Sequence, residues 1–258
     1  MIKFTNFSFG DLLFHSPITA LLDFFFPPFC AICNERLNEN EKTVCEECWQ
    51  SIHFITPPFC QRCGTPMTKR KCGKCVQSAS LGSPDSDAVG FQFFRGRSLG
   101  VYEGALSEIV KLIKFHRKTS LAKRAGRMMG TLLQSDSLLQ EGEVLIPVPL
   151  HKTRLRERGY NQALLLAEAI FHSTSIPVAK NLLLRRRATK PQTDLRHEER
   201  MENVKGAFGV KRNKEIQGKK VILVDDVFTT GSTLQACTEA LLEGGAVGVY
   251  CLTASMTI

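Results

Sequence analysis

At 258 residues the chain has room for one full domain and a smaller one. A hydrophobic fraction of 43% with 23% charged residues excludes wholesale disorder, and the absence of any run of 18 or more apolar residues argues against a membrane span. The formal net charge of +9 points to a polyanionic partner, on a count that takes every cysteine as neutral.

The opening stretch, MIKFTNFSFGDLLFHSPITALLDFFFPPFC, is apolar but lacks an early basic cluster and carries Asp11 and Asp23. It reads as an amphipathic helix rather than a signal peptide. Eight of the ten cysteines then follow as four Cys-x-x-Cys pairs: Cys30/Cys33, Cys45/Cys48, Cys60/Cys63 and Cys72/Cys75. Two residues between cysteines let both sulfurs face one tetrahedral metal. The order C-x2-C-x11-C-x2-C, then C-x2-C-x8-C-x2-C, supplies two sets of four thiolates, each a closed structural Zn2+ site. Sequential pairing is the favoured arrangement and cross-bracing the alternative. Asn34 and Gly64 follow the second cysteine of their knuckles, and both types tolerate the positive φ that such turns need. An even cysteine count also fits disulfides, but these require export to an oxidising compartment, so the expected location is the cytoplasm. With both sites filled, eight thiolates contribute −8 and two zinc ions +4, taking the net charge from +9 to +5. Cys237 and Cys251 sit in apolar contexts and read as buried small hydrophobes.

After Cys75 a Ser-, Gly-, Pro- and Asp-rich stretch, VQSASLGSPDSDAVG, marks a linker. Residues 1–80 are expected to form a metal-held module and residues 88–258 a second domain. In that domain strands are expected at 89–102, 143–148, 180–185, 219–224 and 247–254, with helices at 105–116, 160–172 and 232–244. Alternating strands and helices predict a mostly parallel α/β sheet flanked by helices, with ligands at the carboxyl ends of its strands. The phenylalanines at 24–26, 29, 91, 93 and 94 read as packing residues, leaving no aromatic platform for bases.

Near the carboxyl end, VILVDDVFTTGST places four apolar residues before Asp225 and Asp226, then the small residues Thr229, Thr230, Gly231, Ser232 and Thr233 at the start of a helix. Residues 225–231 are expected to form the turn. Hydroxyls and backbone N–H groups at a helix N-terminus favour a phosphate, and Gly231 permits close approach. Simple Ser/Thr capping would need no aspartate pair. A Walker A loop is excluded because no G-x-x-x-x-G-K-[ST] run exists, and a receiver-type acidic pocket would place this strand first in its domain. A phosphorylated sugar satisfies both halves of the motif, with its anion on the loop and its hydroxyls on the aspartates.

These thirteen residues resemble the PRPP-binding motif of type I phosphoribosyltransferases. Together with KLIKFHRK (111–118), IPVPLHKTRLRERGYNQA (146–163), the stretch 185–208 and the cysteine block, they resemble the ComF family, which joins a double zinc ribbon to such a domain. The resemblance implies a type I phosphoribosyltransferase-like sheet, PRPP or a related ribose phosphate as ligand, Mg2+ with it, and a link to DNA uptake in competence. It implies a pyrophosphate loop after IPVPL, where Lys152, Arg154, Arg156 and Arg158 follow, Arg158 being the strongest candidate; the alternative is a solvated basic helix face. It implies that 185–208 is a hood over the reaction, with Lys190, Gln192, Arg200 and Asn203 as ligand contacts. Asp225 and Asp226 take the catalytic role in this reading. The other reading is a non-catalytic nucleotide-sensing factor that binds single-stranded DNA, consistent with twelve basic against five acidic residues over 185–220.

Overall fold

The computed structural model describes residues 27–38, 41–67, 72–75, 91–187, 204, 206–211 and 213–258. The expected N-terminal helix falls on residues 1–26, outside the described residues. The chain divides into two compact units, residues 1–48 and 49–258.

In the smaller unit, a tight hairpin is closed by the bridge between Phe29 and Arg36, with Cys30 N donating to Glu35 O at 2.8 Å. Its turn places Asn34 at φ +62°. The helix α1 (Glu46–Gln50) begins directly after Cys45 and carries Cys48. The larger unit repeats the hairpin with different residues: Phe59 bridges Pro66, Cys60 N donates to Thr65 O at 2.8 Å, and Gly64 sits at φ +77°. Both positive-φ positions are those expected from the knuckle sequences.

The body of the larger unit is a four-stranded parallel sheet. Its strands are β1 (Arg95–Val101), β2 (Val144–Pro147), β5 (Lys220–Phe228) and β6 (Gly248–Met256), in the order β1-β6-β5-β2. A separate antiparallel pair joins β3 (Leu183–Arg185) to β4 (Phe208–Val210). The helices are α2 (Gly104–Phe115), α3 (Thr119–Ser135), α4 (Lys152–Arg158), α5 (Gln162–Thr174) and α6 (Ser232–Glu243). Val221 to Val224 are buried on both faces, which is why β5 reads as an unbroken apolar run. Val221 and Leu223 share a core cluster with Leu234, Cys237 and Leu241 of α6. Ile222 and Val224 point the other way, toward the face where α5 packs on β5 and β2. Cys237 and Cys251 are buried within this core.

The second cysteine hairpin packs on β1. The bond from Gly96 N to Arg62 O ties the two together, and Phe54, ahead of the hairpin, bridges Gly100. A Cβ on Gly64 would stand 2.6 Å from Gly96 O, so the approach depends on glycine. Among the phenylalanines, Phe91 and Phe93 are core residues, whereas Phe29 and Phe94 are each 51% exposed and Phe24 to Phe26 lie outside the described residues. No helix among the described residues is long and apolar enough to cross a membrane.

Candidate functional site

β5 is longer than its apolar run. Val227 pairs with Ser255 and Phe228 with Met256, so the ladder carries Asp225 and Asp226 inside the strand rather than in the turn expected at 225–231. The turn contracts to Thr229–Thr230–Gly231, and α6 starts at Ser232. Gly231 has φ +84°, and a Cβ there would stand 2.7 Å from the Phe228 ring, with the Phe91 ring also in the way. Both facts demand glycine. Thr230 Oγ1 lies 2.8 Å from Ser232 Oγ and accepts from Ser232 N at 3.4 Å, while Gln235 N donates to Gly231 O at 2.8 Å. Thr229, Thr230, Gly231, Ser232 and Thr233 thus form one tight passage from strand to helix, with the positive end of the α6 dipole at its centre.

Strand alternation sends the two carboxylates to opposite faces. Asp226 Oδ2 faces Lys114 Nζ of α2 at 3.4 Å. Asp225 lies on the α6 face, where Cys237 and Arg185 sense its charge. Its Oδ1 accepts from Asp226 N at 2.8 Å. Burial of the carboxyl, with the charge of Asp226 beside it, pushes the Asp225 pKa up to about 7.

On the Asp226 face a cleft of about 160 Å³ is lined by Lys114, Phe115, Arg117, Arg154, Glu157 and Arg158. The sequence RGYNQ builds its wall. Arg158 enters the cleft, and its Nη1 is buried without a hydrogen-bond partner. Burial lowers its pKa, an effect opposed by the charge of Asp226. Gly159 ends α4 in the left-handed region at φ +85°. Tyr160 OH donates to Ile113 O, tying this wall to the end of α2. Asn161 caps α5 by accepting from Ala163 N at 3.0 Å and donates to Val148 O at 2.9 Å, while Gln162 is buried. Arg117 adopts φ +55°, uncommon for a residue with a side chain.

Lys152 opens α4, is exposed, and is not among the cleft-lining residues. Lys190, Gln192, Arg200 and Asn203 lie outside the described residues. The two ends of the 185–208 stretch meet in the β3–β4 ladder, where Arg185 pairs with Phe208. Lys114 and Arg117 are cleft residues that sequence reasoning did not single out. Their signal was KLIKFHRK, whose basic residues gain meaning only when α2 ends beside β5.

The eight clustered cysteines form two groups, Cys30/Cys33/Cys45/Cys48 and Cys60/Cys63/Cys72/Cys75, each with all sulfurs within 4.8 Å of one another. Sulfurs at about 2.3 Å from a tetrahedral zinc stand about 3.8 Å apart. The structure gives 3.8 Å for Cys30–Cys48, 3.6 Å for Cys33–Cys45, 3.7 Å for Cys60–Cys75 and 3.4 Å for Cys63–Cys72. These are far beyond the roughly 2.05 Å of a disulfide, and none of the ten cysteines is in a disulfide. The groups are sequential rather than cross-braced and are consistent with two zinc sites.

Comparison with known proteins finds two families that match separate parts of the chain. The double zinc ribbon domain family matches residues 21–76, and the phosphoribosyl transferase domain family matches residues 172–257. Competence protein F of Haemophilus influenzae is 30% identical over 227 residues, covering 86% of this chain and 93% of that protein. DNA utilization protein YhgH of Salmonella typhimurium is 29% identical over 233 residues, covering 88% of this chain and 96% of that protein. Among solved structures, glutamine phosphoribosylpyrophosphate (PRPP) amidotransferase from B. subtilis aligns with 52% of this chain and 26% of its own, at 21% identity and a TM-score of 0.36.

Proposed function

The chain belongs to the ComF/YhgH family, with its double zinc ribbon and phosphoribosyltransferase domain, and from that premise we propose that it binds PRPP and transfers its phosphoribosyl group. The observation that carries this reading is the contact of Lys114 with Asp226 at 3.4 Å, which joins the basic cleft to the strand that ends in the anion loop. The loop of Thr229, Thr230, Gly231, Ser232 and Thr233 takes the 5′-phosphate. Lys114, Arg117, Arg154 and Arg158 take the pyrophosphate, where the unpartnered Nη1 of Arg158 gains an acceptor on binding. Lys152, Lys190, Gln192 and Arg200 are the further ligand contacts in this reading.

Asp225 and Asp226 hold the ribose hydroxyls from the two faces of β5, with the ribose set at the strand edge beyond Val224, where β2 no longer pairs. Their hard oxygen donors would also suit Mg2+ bound with PRPP, which would supply positive charge to neutralise the pyrophosphate. When the C1–O bond to pyrophosphate breaks, positive charge develops on the ribose ring. Carboxylates fixed in a strand stabilise that charge without rearranging, and phosphate bound at the loop supplies remote binding energy that orients the ring. The acceptor attacks the opposite side of C1 as pyrophosphate leaves. Calorimetry with PRPP and Mg2+ tests the assignment: Asp225→Ala combined with Asp226→Ala abolishes binding, and unchanged affinity in that variant sinks it.

The excess of twelve basic over five acidic residues across 185–220 favours a second reading, in which the same pocket senses PRPP or a nucleotide and the basic surface binds single-stranded DNA. The names of the relatives, a competence protein and a DNA utilization protein, suit that role. Mobility shifts that weaken as salt rises support it, and no binding at low salt counts against it. In either reading we place the chain in the cytoplasm, where the eight thiolates stay reduced.

A further inference from the structure

The two cysteine groups differ in the residues between their cysteines. The first reads CAIC and CEEC; the second reads CQRC and CGKC, with Arg62 and Lys74 each immediately before the second cysteine of its knuckle. Neither cation points to water. Lys74 Nζ donates to Thr229 O at 2.7 Å, to Thr257 O, and to Thr257 Oγ1 at 3.4 Å, and lies 5.3 Å from the centre of the Phe228 ring. Those carbonyls belong to the first residues past the ends of β5 and β6, and Thr257 N itself donates to Phe228 O at 2.9 Å. Lys74 therefore clamps the point where β5 becomes the anion loop.

Arg62 holds the other side. Its Nη1 donates to Phe91 O at 2.7 Å and Phe93 O at 3.1 Å. Phe91 stacks on Phe93 at 4.8 Å and is the ring that closes on Gly231. Between them, Gln92 N donates to Gln235 Oε1 in the first turn of α6 at 2.9 Å. Two cations from the two knuckles of one metal site thus brace the loop at its entry, Thr229, and beneath its left-handed glycine, Gly231.

We infer that the second zinc site is a positioning device for the phosphate loop, acting through Lys74 and Arg62, so that zinc at this site and phosphate on the loop stabilise each other's binding. The inference rests on the reading of Thr229 to Thr233 as the phosphate site. Metal fixes where Cys60, Cys63, Cys72 and Cys75 stand, and hence where the two cations project. Losing it frees Thr229 O and the Phe91 backbone together. Coupling is reciprocal, so a bound phosphate must raise this site's affinity for zinc by the factor by which the metal tightens the phosphate. The first cysteine group, whose knuckles carry no cation, lacks such a linkage.

The test uses the zinc-loaded full chain and ribose 5-phosphate, which occupies the loop without needing Mg2+. The partition of zinc between the protein and a chromophoric chelator is measured at equilibrium with and without saturating ribose 5-phosphate. The expected result is that one of two zinc equivalents is held about fivefold or more tightly with ligand while the other is unaffected. Lys74→Met, still holding two zinc ions, is expected to bind ribose 5-phosphate about tenfold more weakly and to lose that gain in zinc affinity. Wild-type ligand affinity in Lys74→Met, or zinc affinities indifferent to bound ribose 5-phosphate in the wild type, overturns the inference while leaving the phosphate site intact. If Lys74→Met fails to hold its zinc, the wild-type zinc affinities decide alone. A wild-type chain that does not bind ribose 5-phosphate overturns this inference and the reading of the loop together.

Discussion

Asp225→Asn should stabilise the protein at neutral pH while disabling its site. In the folded chain, burial and the neighbouring charge of Asp226 hold the Asp225 pKa at about 7, above its ordinary value. Lys114 and Arg185 offset this only in part, and the buried Cys237 thiol offers no cation. A carboxyl raised by folding binds its proton more tightly in the native state, so its contribution to stability is full at low pH and is lost as pH rises toward 7. From about pH 5.5 to 7 the unfolded carboxylate is ionised and the folded one largely is not, costing about 1.4 kcal/mol per pH unit. The loss is at most about 2 kcal/mol over that window, which for a chain of this size corresponds to about 4–8 °C in melting temperature. Asparagine keeps an acceptor for Asp226 N and has no charge to desolvate. The difference in melting temperature, Asp225→Asn minus wild type, should grow in favour of the variant between pH 5.5 and 8, measured by calorimetric scanning with zinc bound. PRPP binding should vanish in the same variant. A pH-independent difference, or a variant less stable than wild type at pH 8, refutes the account of a carboxylate held at a cost for its function.

Arg158→Met should cost pyrophosphate and PRPP affinity about tenfold or more while sparing ribose 5-phosphate, because the guanidinium serves the cleft and not the loop; calorimetry with the three ligands separates these outcomes. Gly231→Ala should destabilise the chain by more than about 1 kcal/mol and weaken ribose 5-phosphate binding, since a Cβ there meets both φ +84° and the Phe228 ring. Elemental analysis should find two zinc ions per chain, and their removal should lower the melting temperature, because the Cys60–Cys75 group is built against β1.

What the sequence made legible was local. Four knuckle pairs at fixed spacing and a strand-loop-helix motif each carry their meaning within fewer than twenty residues. The placement of Asp225 and Asp226 was not local. Composition ends β5 at Val224, but Phe228 pairs with Met256, so β6 decides how far the strand runs. α3 escaped notice although Leu121, Ala122, Ala125, Met129 and Leu133 recur at helical spacing, because Gly126 and Gly130 dilute its apolar face. Those glycines exist for packing: a Cβ on Gly126 would stand 2.8 Å from Leu166 O of α5. α4 is short and has no buried residue, so no periodicity announces it. The cleft was legible only in part, since Arg158 stood out from RGYNQ, whereas Lys114 and Arg117 reach it through the packing of α2 beside β5.

The central claim is that loop, aspartates and basic cleft form one PRPP site. Titration of the zinc-loaded protein with PRPP and Mg2+ tests it, set beside pyrophosphate and ribose 5-phosphate alone. One molecule of PRPP bound per chain, more tightly than either fragment and lost in the Asp225→Ala, Asp226→Ala variant, is the predicted result. No binding of PRPP at millimolar concentration, or equal binding in wild type and variant, contradicts it.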